Sequence, residues 1–113
     1  MSKKYQGWAN YPTWNVKLWI DNEESDHWWW REQALAFIDA AEATTHLTRL
    51  EVAARDLAQK LERNHNEAHQ CSHAHNIGWQ NDLLEWALGQ VDWHEVADAY
   101  IEDAWDTDAT RDD

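Results

Sequence analysis

Four carboxylates near the C-terminus stand at helical spacing. Glu95, Asp98, Glu102 and Asp106 follow one another at +3, +4 and +4, so on an α-helix they share one face. Each step along that face is about 4.5–6 Å, close to the pitch of phosphates along a nucleic-acid strand. Asp103, Asp108, Asp112 and Asp113 extend the negative field. A surface of this kind can occupy a groove lined by Lys and Arg, because such a groove responds to charge and spacing. Two plainer readings stand beside it: a solvated helix face, and a general adaptation to high salt. The charge distribution speaks against the second. Residues 1–63 hold 10 acidic and 8 basic side chains, whereas residues 64–113 hold 12 acidic side chains and Arg111 alone as a base. Salt adaptation should acidify both halves.

Aromatic residues supply a second candidate contact. The chain has ten tryptophans in 113 residues. Trp14, Trp19, Trp79, Trp86, Trp93 and Trp105 are expected in the core, since a Trp buries much apolar area and a small bundle needs it. Trp28, Trp29 and Trp30 are consecutive. Successive helical residues are about 100° apart, so the three span about 200° and do not all face one core. At least one should be exposed or pack on a partner, and Trp28 and Trp29 are the candidates for protein contact.

A third constellation is rich in histidine. His65, His69 and His73 lie at i, i+4 and i+8, and helical pairs at i, i+4 can chelate zinc or nickel. The stretch matches no known metal motif: His65-Asn66-Glu67-Ala68-His69 is not His-Glu-x-x-His. With Cys71 as the single cysteine, a multi-cysteine zinc site and an internal disulfide are both excluded. The plain reading is an exposed linker, and no metal or other cofactor is assigned. A glycine-rich phosphate loop, a Gly-x-Ser-x-Gly motif and a nucleophile with its base are all missing, so nothing points to an enzyme. A net charge of −13 argues against direct binding to nucleic acid or anionic lipid. No apolar run approaches the length of about 18 residues that a membrane span needs, and the first residues lack the apolar stretch of a signal peptide.

The elements that must position these groups read as helices. Glycine is scarce, Pro12 is the only proline, and hairpin signals such as Asn-Gly are absent. Thr13 is placed to cap a first helix that stops near Asp21-Asn22. Ser25 or Asp26 opens a second, about 26–42, with Trp30, Ala34, Phe37, Ile38 and Ala41 inward. Thr48 and Glu51 form a capping box for a third, about 48–63, whose stripe is Leu50, Ala53, Ala54, Leu57 and Leu61. A fourth, about 79–89, carries Trp79, Leu83, Trp86 and Ala87 inward and ends near Gly89. The fifth opens with Asp92 and Glu95, runs to about 105, and turns Trp93, Val96, Ala97, Tyr100, Ile101 and Trp105 inward. The expected fold is all-α: one domain over residues 1–113, a compact bundle of about five short helices, with a frayed tail after about residue 106.

The segment from Gly7 to Glu23, which includes Asn10-Tyr11-Pro12-Thr13-Trp14-Asn15-Val16-Lys17-Leu18-Trp19-Ile20-Asp21-Asn22, resembles the N-terminal signature of small, mostly uncharacterised proteins of phages, plasmids and other mobile elements. Their pattern is approximately Asn-Tyr-x-Thr-Trp-Asn-Val-x-Leu-Trp-x-Asp-Asn. Ala87-Leu88 and Val91-Asp92-Trp93-His94-Glu95-Val96-Ala97 are similar to the C-terminal block of the same family. The chain departs from the family at Pro12, where members often carry an acidic residue, and in the stretch 64–76, which has no counterpart there. The resemblance implies a context, the mobile element, in which small acidic proteins often disarm host defence; it brings no catalytic residue. The leading expectation is therefore an inhibitor of anti-CRISPR or anti-restriction type, in the cytoplasm of an infected bacterial or archaeal cell. It would bind a host defence protein or ribonucleoprotein complex at a basic nucleic-acid-binding cleft, with Glu95, Asp98, Glu102, Asp103 and Asp106 as the mimic surface. The alternative is an accessory adaptor that binds a host protein through exposed tryptophans, with acidity serving solubility.

Overall fold

The computed structural model describes residues 5–72 and 78–111. They form five helices: α1 (Tyr11–Asn22), α2 (Glu24–Ala40), α3 (Arg49–Ser72), α4 (Gly78–Gln90) and α5 (Trp93–Arg111). Among the described residues there is no strand, only a bridge between Tyr5 and Trp8. The fold is an all-α bundle, as the periodicity predicts.

Three helices make most of the core, which Ile20 of α1 and Val91 join. Trp30, Ala34 and Ile38 of α2 meet Ala53, Ala54, Leu57 and Leu61 of α3 and Val96, Ala97, Tyr100, Ile101 and Ala104 of α5. Each set recurs every three or four residues, which is what keeps a stripe on one side of a helix. Leu57, Leu61, Val96 and Ala97 are fully buried.

Several boundaries differ from the sequence reading, for local reasons. Asn10, and not Thr13, caps α1: its side chain accepts the Thr13 amide at 2.9 Å, and Pro12 sits in the first turn, where a missing amide hydrogen costs nothing. Helix α2 begins two residues early, on Glu23 without a side-chain cap. The Thr48/Glu51 box forms in both directions, at 2.8 and 3.1 Å, and starts α3. That helix then runs to Ser72, so His65 and His69 sit on a helix and not in a linker. Nothing between residues 49 and 72 is Gly or Pro, and Glu67, Ala68 and Gln70 favour helix, so no residue stops it. Gly89 lies inside α4, and α5 continues past residue 105 to Arg111.

Candidate binding surfaces

The outer face of α5 carries the carboxylates, but they do not act alike. Glu95 is half-buried, and one of its carboxylate oxygens accepts the Ala9 amide at 2.9 Å. Asp103 lies 3.1 Å from Arg31 Nε, an ion pair that ties α5 to α2. Asp98 is exposed and lies 3.5 Å from His94 one turn back. Glu102 and Asp106 are exposed. Glu95, Asp98 and Glu102 line one shallow cleft of about 240 Å³ beside Gly7 and Trp8. Of the five predicted residues, then, three share a cleft, and Asp103 is turned toward a cation.

Glu95 belongs to a larger contact that the sequence reading missed. Thr13 is fully buried. Its hydroxyl donates to Asn10 Oδ1 at 2.6 Å and accepts the Asp92 amide at 2.8 Å. The Asn10 side-chain amide donates to the Gln90 carbonyl at 2.7 Å. Asp92 in turn caps α5 by accepting the Glu95 amide at 3.1 Å. The segment before and into α1 and the segment that opens α5 thus clasp one another across about 80 positions, and their work there is architectural. Read locally, Asp92 and Glu95 form a capping pair; in the structure Asp92 caps, and the Glu95 carboxylate reaches across to the N-terminal segment.

Trp28 and Trp29 are 53% and 40% exposed, while Trp30 is buried. Each exposed ring has a cation near its face: Arg31 lies 5.6 Å from the Trp28 ring centre and Lys60 lies 5.3 Å from that of Trp29. Cation–π attraction of this sort is worth about 0.5–1 kcal/mol at an exposed site, and it holds both indoles on the surface.

The core expectation for the other tryptophans succeeds for Trp93 and fails for Trp19, Trp79, Trp86 and Trp105, which are exposed. For Trp105 the reason is simple: the inward line of α5 passes through Ala104, and the next residue lies about 100° round. For α4 the whole helix is turned. Asn81 and Val91 are buried near its two ends, while Trp79, Leu83 and Trp86, at i, i+4 and i+7, are 61%, 57% and 62% exposed. Two apolar lines run along α4, one through Leu84, Leu88 and Val91 and one through Trp79, Leu83 and Trp86. Periodicity alone did not say which faces in.

A polar network joins α1, α2 and α5. Asp21 accepts from the Tyr100 hydroxyl at 2.8 Å and from Lys17 Nζ at 2.6 Å, and it lies 3.1 Å from His27 Nδ1. Partial burial pushes the Asp21 carboxyl up, but the hydrogen bonds from Lys17 and Tyr100, with the Lys17 charge, outweigh it and hold the group below the usual carboxylate range. Tyr100 shifts the other way: burial, then its bond to Asp21 and the nearby negative charge, raise the phenol far above its ordinary value. The hydroxyl therefore serves as a fixed donor.

His65 and His69 are engaged in separate contacts. His65 stacks between two core indoles, 6.0 Å from Trp30 and 5.1 Å from Trp93, with Nδ1 2.8 Å from the Leu61 carbonyl. His69 lies 3.7 Å from Glu85 of α4. His73 lies outside the described residues. Among the described residues no group of three or more His, Cys, Asp or Glu is placed to hold a metal ion. Nor is any helix among them long and apolar enough to cross a membrane.

These features define an acidic five-helix bundle that displays carboxylates on one helix and large aromatic side chains on others. The chain belongs to a family of unknown function, DUF7249, whose sequence model matches residues 1–107. No curated protein and no solved structure matches it.

Proposed function

We propose that the protein is a non-enzymatic inhibitor encoded by a mobile element, of anti-CRISPR or anti-restriction type, that blocks a basic nucleic-acid-binding surface of a host defence protein or ribonucleoprotein complex. The observation that carries this reading is the run Asp98, Glu102 and Asp106, exposed at one-turn spacing on α5 within a chain half that holds 12 acidic side chains and one basic one. Carboxylates at that pitch stand where phosphates would lie, and long-range attraction to a Lys/Arg cleft speeds encounter. Asp103, already paired with Arg31, contributes less, and the Glu95 carboxylate is engaged in holding the N-terminal segment.

The test is capture of the partner from a host lysate on the immobilised protein, followed by elution in rising salt and by competition with nucleic acid. A charge mimic releases its partner steeply as salt rises and yields to the competitor. Asp98→Lys combined with Glu102→Lys should abolish capture while the far-ultraviolet circular dichroism stays helical. Capture by that folded variant at wild-type strength sinks the proposal.

The exposure of Trp28 and Trp29 favours a second reading, an accessory adaptor that holds a host protein through these indoles. There the complex survives high salt and is lost in Trp28→Ala combined with Trp29→Ala.

A further inference from the structure

We infer that the outer face of α1 and α4 is the interface of a homodimer, in which a second copy of this chain covers Trp79, Leu83 and Trp86. The inference does not depend on the acidic face of α5, and the two stand or fall separately.

Three observations carry it. The first is the facing of α4, which turns a second apolar line of two tryptophans and a leucine to water. An exposed leucine alone needs no explanation, but a contiguous apolar stripe does. Beside it, Tyr11 and Trp19 of α1 are also exposed. With Leu84, these side chains present roughly 500–700 Å² of largely apolar surface, taking about 150–250 Å² for each large aromatic side chain. That lies at or above the top of the range for the largest patch of a typical monomer, about 300–600 Å², and approaches the roughly 800 Å² per partner of a standard interface.

The second observation is shape. Between the two helices runs a groove of about 300 Å³, lined by Tyr11, Pro12 and Val16 of α1 and by Leu83, Trp86 and Ala87 of α4. Its neighbour, lined by Trp19 and Ile20 together with Glu23, Asp26 and His65, shares Asn15 and Val16 with it, so along α1 the apolar groove passes into a mixed surface whose edge is acidic. A ridge of indoles beside a groove of matching character is what a twofold axis requires: the ridge of one copy enters the groove of the other, and the reverse.

The third is charge. The chain as a whole carries −13, yet none of the described residues that line the groove is charged. Two copies can therefore meet there without setting carboxylate against carboxylate at the centre of the contact. Asp82 and Glu85 lie on the same helix, exposed, so the rims of the two copies repel. That repulsion fixes the sign of the salt effect: screening it should tighten the dimer. A basic partner helix in the same groove would show the opposite dependence.

Sedimentation of the full chain tests this. The weight-average mass should rise from 13.4 kDa toward twice that value as protein concentration rises from about 1 to about 300 µM, which covers the weak, micromolar end of the range for interfaces of standard size. The midpoint should fall to lower concentration in 0.5 M than in about 0.05 M salt. Leu83→Glu combined with Trp86→Glu should weaken association at least about a hundredfold, as loss of central anchors does, with helicity kept because both residues face solvent. Should that pair lose helicity, Trp79→Lys with Trp86→Lys reads the same surface. A chain that stays monomeric across the range at both ionic strengths overturns the inference. So does a dimer that survives the variants, or a monomer whose groove instead takes a cationic amphipathic peptide and loses it in salt.

Discussion

The trio α2, α3 and α5 and the pair α1 and α4 solve the problem of apolar surface in opposite ways. In the trio, each apolar stripe meets another, and Leu57, Leu61, Val96 and Ala97 lose all contact with water. In the pair, polar groups do much of the internal work: Thr13 is fully buried in a hydrogen-bonded clasp, Asn81 is buried, and Trp79, Leu83 and Trp86 face out. Stability therefore resides in the trio, while the pair keeps its large apolar side chains available. A helix that keeps a second apolar line on its outer side leaves that line unburied in its own fold, and it is the natural place to look for association.

Substitutions rank the two regions. The largest effect is expected for Leu57→Ala or Leu61→Ala, each lowering unfolding free energy by about 2–5 kcal/mol through lost transfer energy and a cavity, as measured by urea denaturation. A loss under about 1 kcal/mol would mean that the trio is not the stabilising unit. Next comes Thr13→Val, which keeps the volume but takes the hydroxyl from the Asp92 amide and from Asn10. An unsatisfied buried donor costs about 1–3 kcal/mol, and amide exchange at Asp92 should accelerate in the variant.

Smaller still is the acid response of Asp21. Its folded-state value lies below the unfolded one, so the stability it contributes is complete above the ordinary carboxylate value of 3.8 and is lost as pH falls through the lower, folded value. The stability difference between wild type and Asp21→Asn should shrink as pH drops below about 4. Comparing the two proteins at each pH removes the general relief of repulsion that protonating an acidic chain brings. A difference independent of pH would show that the Lys17 and Tyr100 contacts do not select the charged form. The smallest effect is expected for Leu83→Ala in dilute protein, within about 0.5 kcal/mol, as for an exposed position. A cost equal to that of Leu57→Ala would erase the distinction between the two regions.

Much of this architecture can be read from residue patterns, and the parts that cannot share a cause. The helical class, the count of five and the α2, α3 and α5 stripes follow from periodicity, and the Thr48/Glu51 box follows from its spacing, because each depends on neighbours within a few residues. The length of α3 escaped because the stretch after residue 63 has no apolar stripe; its helix rests on the lack of any breaker and on the packing of His65 between Trp30 and Trp93. The facing of α4 escaped because both of its sides are apolar. The clasp escaped because Asn10, Thr13, Asp92 and Glu95 each offer a satisfactory local partner, and only tertiary structure shows which bonds run across the chain. Of the candidate site, the exposure of Trp28 and Trp29 was legible, since three consecutive indoles cannot all turn inward. The pairing of Asp103 with Arg31, 72 positions away, was not.

The clasp also sets an order of events during synthesis. Asn10 and Thr13 emerge early, yet the groups they bind, the Gln90 carbonyl and the Asp92 amide, leave the ribosome only after some eighty further residues, several seconds later at about 5–20 residues per second. For that interval the nascent N-terminal helix lacks its tether, and closing so long a loop is itself entropically slow. The hydrogen bonds that join α1 to the start of α5 therefore form only after translation has passed Asp92.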